Sequence, residues 1–319
     1  MSTLDPMAKK YLALLNQSSA FQPIDPKVAR EMFTQAPPAV LSLAVEVEEV
    51  PLNKIEDTQI PVGESSKMKL RIYTPLGDGP FPLFLYYHGG GWVVGDIEMV
   101  DLSCRMLANQ TGCIVISVDY RLAPEHKFPI PLQDSYEALK WVDKNANSIN
   151  GDAFKIIVGG DSAGGNLANA VSMLSKERKG PKILSQILLY PVTNMTFDST
   201  SYLKYQYGFG LDREKMIWYS EHYIKNESDK TNRFVSPLLA DALSNLPPTL
   251  IILVENDVLR DDGFMYAERL NKAGVKVRVI SERGLIHAYF TNMVIFQERI
   301  KNTVTHIKQF LLENIKNQF

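Results

Sequence analysis

The chain of 319 residues is 45% hydrophobic and 22% charged, with a formal net charge of −2. This is the composition of an ordinary globular protein, long enough for one large α/β core plus an accessory layer; it offers no electrostatic case for nucleic acid or an anionic membrane, and no window approaches eighteen consecutive apolar residues. Two cysteines, Cys104 and Cys113, are too few for a metal cluster or a multi-bridge framework and read as reduced cytosolic thiols.

The N-terminus, MSTLDPMAKKYLALL, lacks a basic region followed by an apolar one, so no signal peptide is expected and a cytoplasmic location is. The Asn-x-Ser/Thr matches at Asn16, Asn109, Asn194 and Asn226 are then chance ones. Two amphipathic helices open the chain. In the first, Met7, Tyr11, Leu14 and Leu15 share a face. The second takes Asp25 as N-cap and Pro26 as its first residue, with Val28 and Met32 expected to turn inward.

From residue 46 the pattern becomes β-rich, with strands expected at 46–50, 68–74, 83–87, 114–118, 155–159, 186–190, 249–255 and 275–281. Several are solid apolar runs, such as Leu83-Phe84-Leu85-Tyr86-Tyr87 and Leu250-Ile251-Ile252-Leu253-Val254. Runs without alternation are buried on both faces, which implies a parallel sheet flanked by helices. Helical patterns near 99–110, 133–146 and 164–178 supply the crossovers, while the first two strands have none between them and are expected to pair antiparallel. Residues 193–240 break the alternation: Met216, Ile217, Trp218 and Tyr223 fall on helical spacing where a strand is due, as an insertion would. A last helix carries Phe296, Ile300, Val304, Ile307 and Leu311 on one face.

Gly160-Asp161-Ser162-Ala163-Gly164 follows the run Ile156-Ile157-Val158 directly. A G-x-S-x-G turn between a buried strand and a helix strains the serine backbone and exposes its hydroxyl as a nucleophile. Such a serine needs a base, and the base needs an acid to fix its tautomer. In this kind of sheet the order is Ser, acid, His, which removes His88, His126 and His222. His306 lies within the last amphipathic helix, so His287, just past the last strand, is the candidate base. The acid should follow strand 249–255. Glu255 sits too close to the strand, and Asp261 and Asp262 suit the first turn of the next helix; Asp257 is selected.

His88-Gly89-Gly90-Gly91-Trp92 follows the run 83–87. Consecutive glycines let backbone N–H groups approach a developing oxyanion, and the N–H of Ala163 at a helix start would add another donor. A dinucleotide-binding reading of the same segment, ending in Asp119, fails on spacing: Gly89-x-Gly91-x-x-x-Gly95 is not G-x-G-x-x-G.

HGGGW at 88–92, DYRLAPEHKFP at 119–129, GDSAGGNLA at 160–168, ENDVLRDDG at 255–263 and GLIHAYF at 284–290 together resemble the hormone-sensitive-lipase-like esterases of the α/β-hydrolase superfamily. The resemblance implies an α/β fold with a mostly parallel eight-stranded sheet under a helical cap. Residues 1–45 and 193–240 would form the cap, and 46–192 with 241–319 the catalytic core. It implies Ser162 as nucleophile, Asp257 as acid, His287 as base, and Gly90, Gly91 and Ala163 as the oxyanion hole. Asp119-Tyr120-Arg121 and Glu125 match a segment read as holding the loops around the site. The pair Ala288-Tyr289 stands where the family has glycine after the histidine, a change expected to narrow the space beside the base.

The expectation is a cofactor-free, metal-free serine carboxylesterase acting on short- to medium-chain acyl esters, with Trp92, Phe209 and Leu211 as candidate pocket walls. Its partner would be a small-molecule ester, with no nucleic acid and no membrane span; a homodimer is left open. The alternatives are amide, formamide or deacetylation chemistry on the same three residues, or a ligand-binding protein without catalysis.

Overall fold

The structure, a computed structural model, describes residues 4–16, 22–33 and 38–316. Three helices open it, α1 (Pro6–Leu15), α2 (Pro26–Phe33) and α3 (Pro38–Leu41), before the hairpin β1 (Lys54–Val62) and β2 (Ser66–Thr74). Strands and helices then alternate: β3 (Phe81–Tyr87), α4 (Asp101–Thr111), β4 (Ile114–Val118), α5 (Ile130–Asn145), β5 (Gly151–Asp161), α6 (Ala163–Arg178) and β6 (Ser185–Leu189). After β6 come α7 (Thr200–Lys204) and α8 (Arg213–Tyr223). The chain closes with β7 (Thr249–Asn256), α9 (Arg260–Lys272), β8 (Val277–Ile286) and α10 (Met293–Lys316).

All eight strands join one sheet in the order β1-β2-β4-β3-β5-β6-β7-β8. The β1–β2 and β2–β4 pairs are antiparallel and the other five parallel, as the apolar runs require. Strand β3 illustrates why. Leu83, Leu85 and Tyr87 join Val171, Leu139 and Leu270 of the α5, α6 and α9 layer, while Phe84 and Tyr86 join Leu107, Ile300 and Val304 of α4 and α10. Two covered faces leave no position for a polar residue, and each buried large side chain contributes about 1.5–3 kcal/mol.

Two expectations fail at the N-terminal end. Residues 46–50 form no strand; the first strand is β1, which the chain reads as polar because it is an edge strand with one face open. Only Ile60 and Val62 are buried on it, and Pro61 sits there because an edge tolerates a missing donor. Its pairing with β2 is antiparallel, as expected of the first two strands. On α2, the Asp25 carboxylate does accept from the Lys27 N–H (2.9 Å), but Val28 and Met32 are 45% and 63% exposed. That helix is held instead by Ala29, which packs on the core, and by Arg30.

Residues 1–3, 17–21 and 34–37 of the expected N-terminal cap portion, and 317–319 of the core portion, lie outside the described residues. Among the described residues no helix is long and apolar enough to cross a membrane.

Candidate active site

Four strands end at one edge of the sheet, and each is followed at once by a residue of chemical interest: His88 after β3, Ser162 after β5, Asp257 after β7 and His287 after β8. Register brings those ends together, Tyr87 pairing with Gly160 and Asn256 with Ile286. Ser162 turns the chain from β5 into α6 at φ 55°, ψ −119°, a region that costs a non-glycine residue about 1–3 kcal/mol. The turn is tight enough that a Cβ on Gly164 would run into the Tyr87 carbonyl oxygen, so glycine is obligatory there. Ser162 keeps 7% of its surface exposed.

His287 Nε2 lies 2.9 Å from Ser162 Oγ, and its Nδ1 lies 2.8 Å from Asp257 Oδ2. A neutral imidazole that donates Nδ1–H to the carboxylate leaves Nε2 to accept the serine proton. Asp257, 1% exposed, is fixed in turn by the Leu259 N–H donating to Oδ1 (3.0 Å). Tyr190 meets the imidazole edge-on at 4.7 Å. The structure thus brings Ser162, Asp257 and His287 into one hydrogen-bonded row.

The other acids past β7 have different partners. Glu255 accepts from the Gly284 N–H (2.8 Å), and Asp261 pairs with Arg260. Asp262 is buried, and burial pushes its carboxyl up to about 7. Of the other histidines, His88 is fully buried, stacked on Tyr120 with centroids 4.3 Å apart, and its Nδ1 donates to the Gly89 carbonyl. Burial pulls its pKa down to about 4, so it stays neutral. His222 Nδ1 donates to the Trp218 carbonyl inside α8.

The glycine loop lies beside the serine. The N–H groups of Gly90 and Gly91 make no hydrogen bond among the described residues, and Ala163 is the first residue of α6, where N–H groups lack an intrahelical acceptor. These are three backbone N–H groups of the kind that a developing oxyanion needs.

Asp161 ties loop and elbow together, a part that sequence reasoning missed. Its Oδ1 accepts from the Gly89 N–H and the Tyr86 hydroxyl, both at 2.9 Å. Burial pushes its carboxyl up to about 6, and these two donors oppose the rise. A charged residue directly before the nucleophile, just past the apolar run Ile156-Ile157-Val158, was the signal available. The 119–129 segment holds its own loops: Arg121 forks onto Asp134 at 2.7 and 2.8 Å, and Glu125 accepts from Arg30, which drops its carboxyl to about 2.

The candidate pocket walls divide. Trp92 has no exposed surface and stacks on Tyr223, so it braces the loop instead of facing open space. Leu211 is buried at 9% exposure, and half-buried Phe209 meets Tyr205 edge-on at 5.0 Å. After the histidine, Ala288 takes φ 60°, the conformation for which glycine is suited. Tyr289 turns into the core, where its hydroxyl meets Thr303 Oγ1 at 2.6 Å. Its ring therefore does not crowd the base, contrary to expectation.

Residues 84–291 match a family described as having the alpha/beta hydrolase fold. The chain is 39% identical over 248 residues to the arylesterase of Saccharolobus solfataricus, covering 77% of this chain and 80% of that one. It is 37% identical over 245 residues to the carboxylesterase NlhH of Mycobacterium tuberculosis, covering 75% and 76%. Among solved structures, the hyperthermophilic esterase of the archaeon Pyrobaculum calidifontis superposes with a TM-score of 0.88 at 37% identity, over 96% of this chain and 98% of that one.

Proposed function

The chain belongs to the alpha/beta hydrolase family and is a carboxylic ester hydrolase, and on that premise we propose that Ser162, His287 and Asp257 carry out its acyl transfer. The observation that supports this most is the row of two hydrogen bonds from Asp257 through His287 to Ser162 Oγ. In the proposed sequence, Ser162 Oγ attacks the ester carbonyl as His287 Nε2 takes its proton. Asp257 steadies the imidazolium that results. The oxyanion is met by the N–H groups of Gly90, Gly91 and Ala163, in a water-poor site where each donor contributes about 10²–10³ in rate. His287 returns the proton to the leaving alkoxide, and a water repeats the cycle to free the acid and the serine.

Short- to medium-chain acyl esters are the proposed substrates, with half-buried Phe209 and buried Leu211 as walls. Residues 1–45 and 193–240 are assigned to the cap, supported by the packing of α8 on the glycine loop. A cytosolic location is part of the same reading, supported by the free, buried thiols of Cys104 and Cys113.

The test is hydrolysis of p-nitrophenyl acetate through decanoate by the folded wild type and by Ser162→Ala. The expected result is turnover that falls beyond medium chains and disappears in the variant. Turnover on no ester, or turnover indifferent to Ser162, would overturn the reading.

A further inference from the structure

Helix α8 does more than cover the site. Tyr219 and Tyr223, one helical turn apart, lie against consecutive residues of the glycine loop. At Gly91 a Cβ would clash with the Tyr219 ring, running into Cγ and Cδ1 and lying 2.7 Å from Cδ2. The Trp92 indole stacks flat on the Tyr223 ring, with centroids 4.1 Å apart and planes at 4°. Phe128 closes on Tyr223 edge-on at 5.9 Å.

Both loop residues hold positive φ, 59° at Gly91 and 61° at Trp92. Glycine accepts that freely. A bulky aromatic does so only when its surroundings over-determine it. Those surroundings are largely α8 and what grips it. The Phe128 N–H donates to the Tyr223 carbonyl (2.8 Å), and Lys127 Nζ donates to the carbonyls of Glu221 (3.0 Å) and Ile224 (2.8 Å). The Ala123 N–H donates to the Trp92 carbonyl at 2.9 Å, linking that clamp back to the loop.

We propose that Tyr219 and Tyr223 are positioning residues for the oxyanion donors, so that the insertion after β6 contributes to transition-state stabilisation as well as to access. The proposal rests on Gly90 and Gly91 being those donors. It assigns the work at residue 219 to the ring, since the Tyr219 hydroxyl makes no hydrogen bond among the described residues. Phenylalanine should therefore serve as well as tyrosine.

Full-length wild type, Tyr219→Phe and Tyr219→Ala are compared by steady-state hydrolysis of a p-nitrophenyl ester, by inhibition with a trifluoromethyl ketone, and by amide hydrogen exchange over residues 88–94. Tyr219→Leu replaces Tyr219→Ala if the latter does not fold. The expected result is a fall in kcat of about 10- to 100-fold with KM little changed, and a parallel loss of ketone affinity. Exchange over 88–94 should quicken while that of β5 and α6 stays as it was, and Tyr219→Phe should match wild type throughout. A rise in KM at constant kcat, or unchanged exchange in the loop, would overturn the proposal. If wild type itself shows no Ser162-dependent turnover, the esterase reading fails separately, and exchange alone decides whether Tyr219 holds the loop.

Discussion

Ser162 and Trp92 both sit at positive φ shortly after a buried strand, yet they are held by different parts of the molecule. Ser162 is bound by the core: its N–H donates to the Leu189 carbonyl, and its own carbonyl accepts from Asn166 and Val192. Trp92 is bound by what lies over the core, with Tyr223 of α8 on its ring and Arg30 of α2 donating to the next carbonyl, Val93, at 2.8 Å. The elbow is thus a property of the sheet, while the loop takes its shape from segments far away in sequence. Chemistry at the serine should fail abruptly when a reacting group is removed. Stabilisation at the loop should fail by degrees as each outer support is taken away.

The largest effects belong to the sheet side. Ser162→Ala and His287→Ala should each lower kcat by about 10⁶-fold, with Asp257→Asn following at about 10⁴-fold because the imidazole tautomer is no longer fixed. Single-turnover kinetics on purified, folded variants measure this. A loss of less than about tenfold in His287→Ala would remove it as the base and dissolve the contrast between the two regions.

On the loop side, Arg30→Ala should cost far less. Arg30 donates to the carbonyls of Val93 and Ala123 as well as to Glu125. A reduction in kcat of about 3- to 10-fold is expected, with faster amide exchange in the loop. If Arg30→Ala quickened exchange in α6 instead, the division between the elbow held by the sheet and the loop held by α2 and α8 would be wrong.

The smallest effect is one of pH and lies again on the sheet side. Burial pushes the Asp262 carboxyl up to about 7, well above its ordinary range. A raised carboxyl pKa means that the folded state binds more protons, so its contribution is full below about pH 4 and is lost as pH rises through about 7. Thermal unfolding from pH 4 to 8 should show Asp262→Asn losing less stability over that window than wild type, by a few °C in Tm. Parallel pH curves for the two proteins would show that Asp262 does not carry this loss.

The contrast also explains what could be read from the sequence. His88, Ser162, Asp257 and His287 each follow the last residue of a strand, and three of those strands are apolar runs that stand out without alignment. Chain order and elimination among five histidines could therefore reach the same row of residues that the sheet brings together. Edge strand β1 is hard to read in the sequence because a half-exposed strand looks like a polar loop. Val28 and Met32 misled because an amphipathic pattern says that a face exists, not that anything covers it. Trp92 seemed a pocket wall for want of its stacking partner, 131 positions along the chain. No local pattern gives that distance. Asp161 was hidden in plain view as the variable position of its own motif.

Covalent labelling tests the central claim most directly. Folded wild type treated with one equivalent of a fluorophosphonate should carry a single phosphonyl group, mapped by peptide mass spectrometry to Ser162, with esterase activity lost in proportion to labelling. Labelling should vanish in Ser162→Ala and slow severely in His287→Ala. An adduct on another residue, or ester hydrolysis that persists in the fully labelled enzyme, would contradict the assignment of Ser162 as the nucleophile.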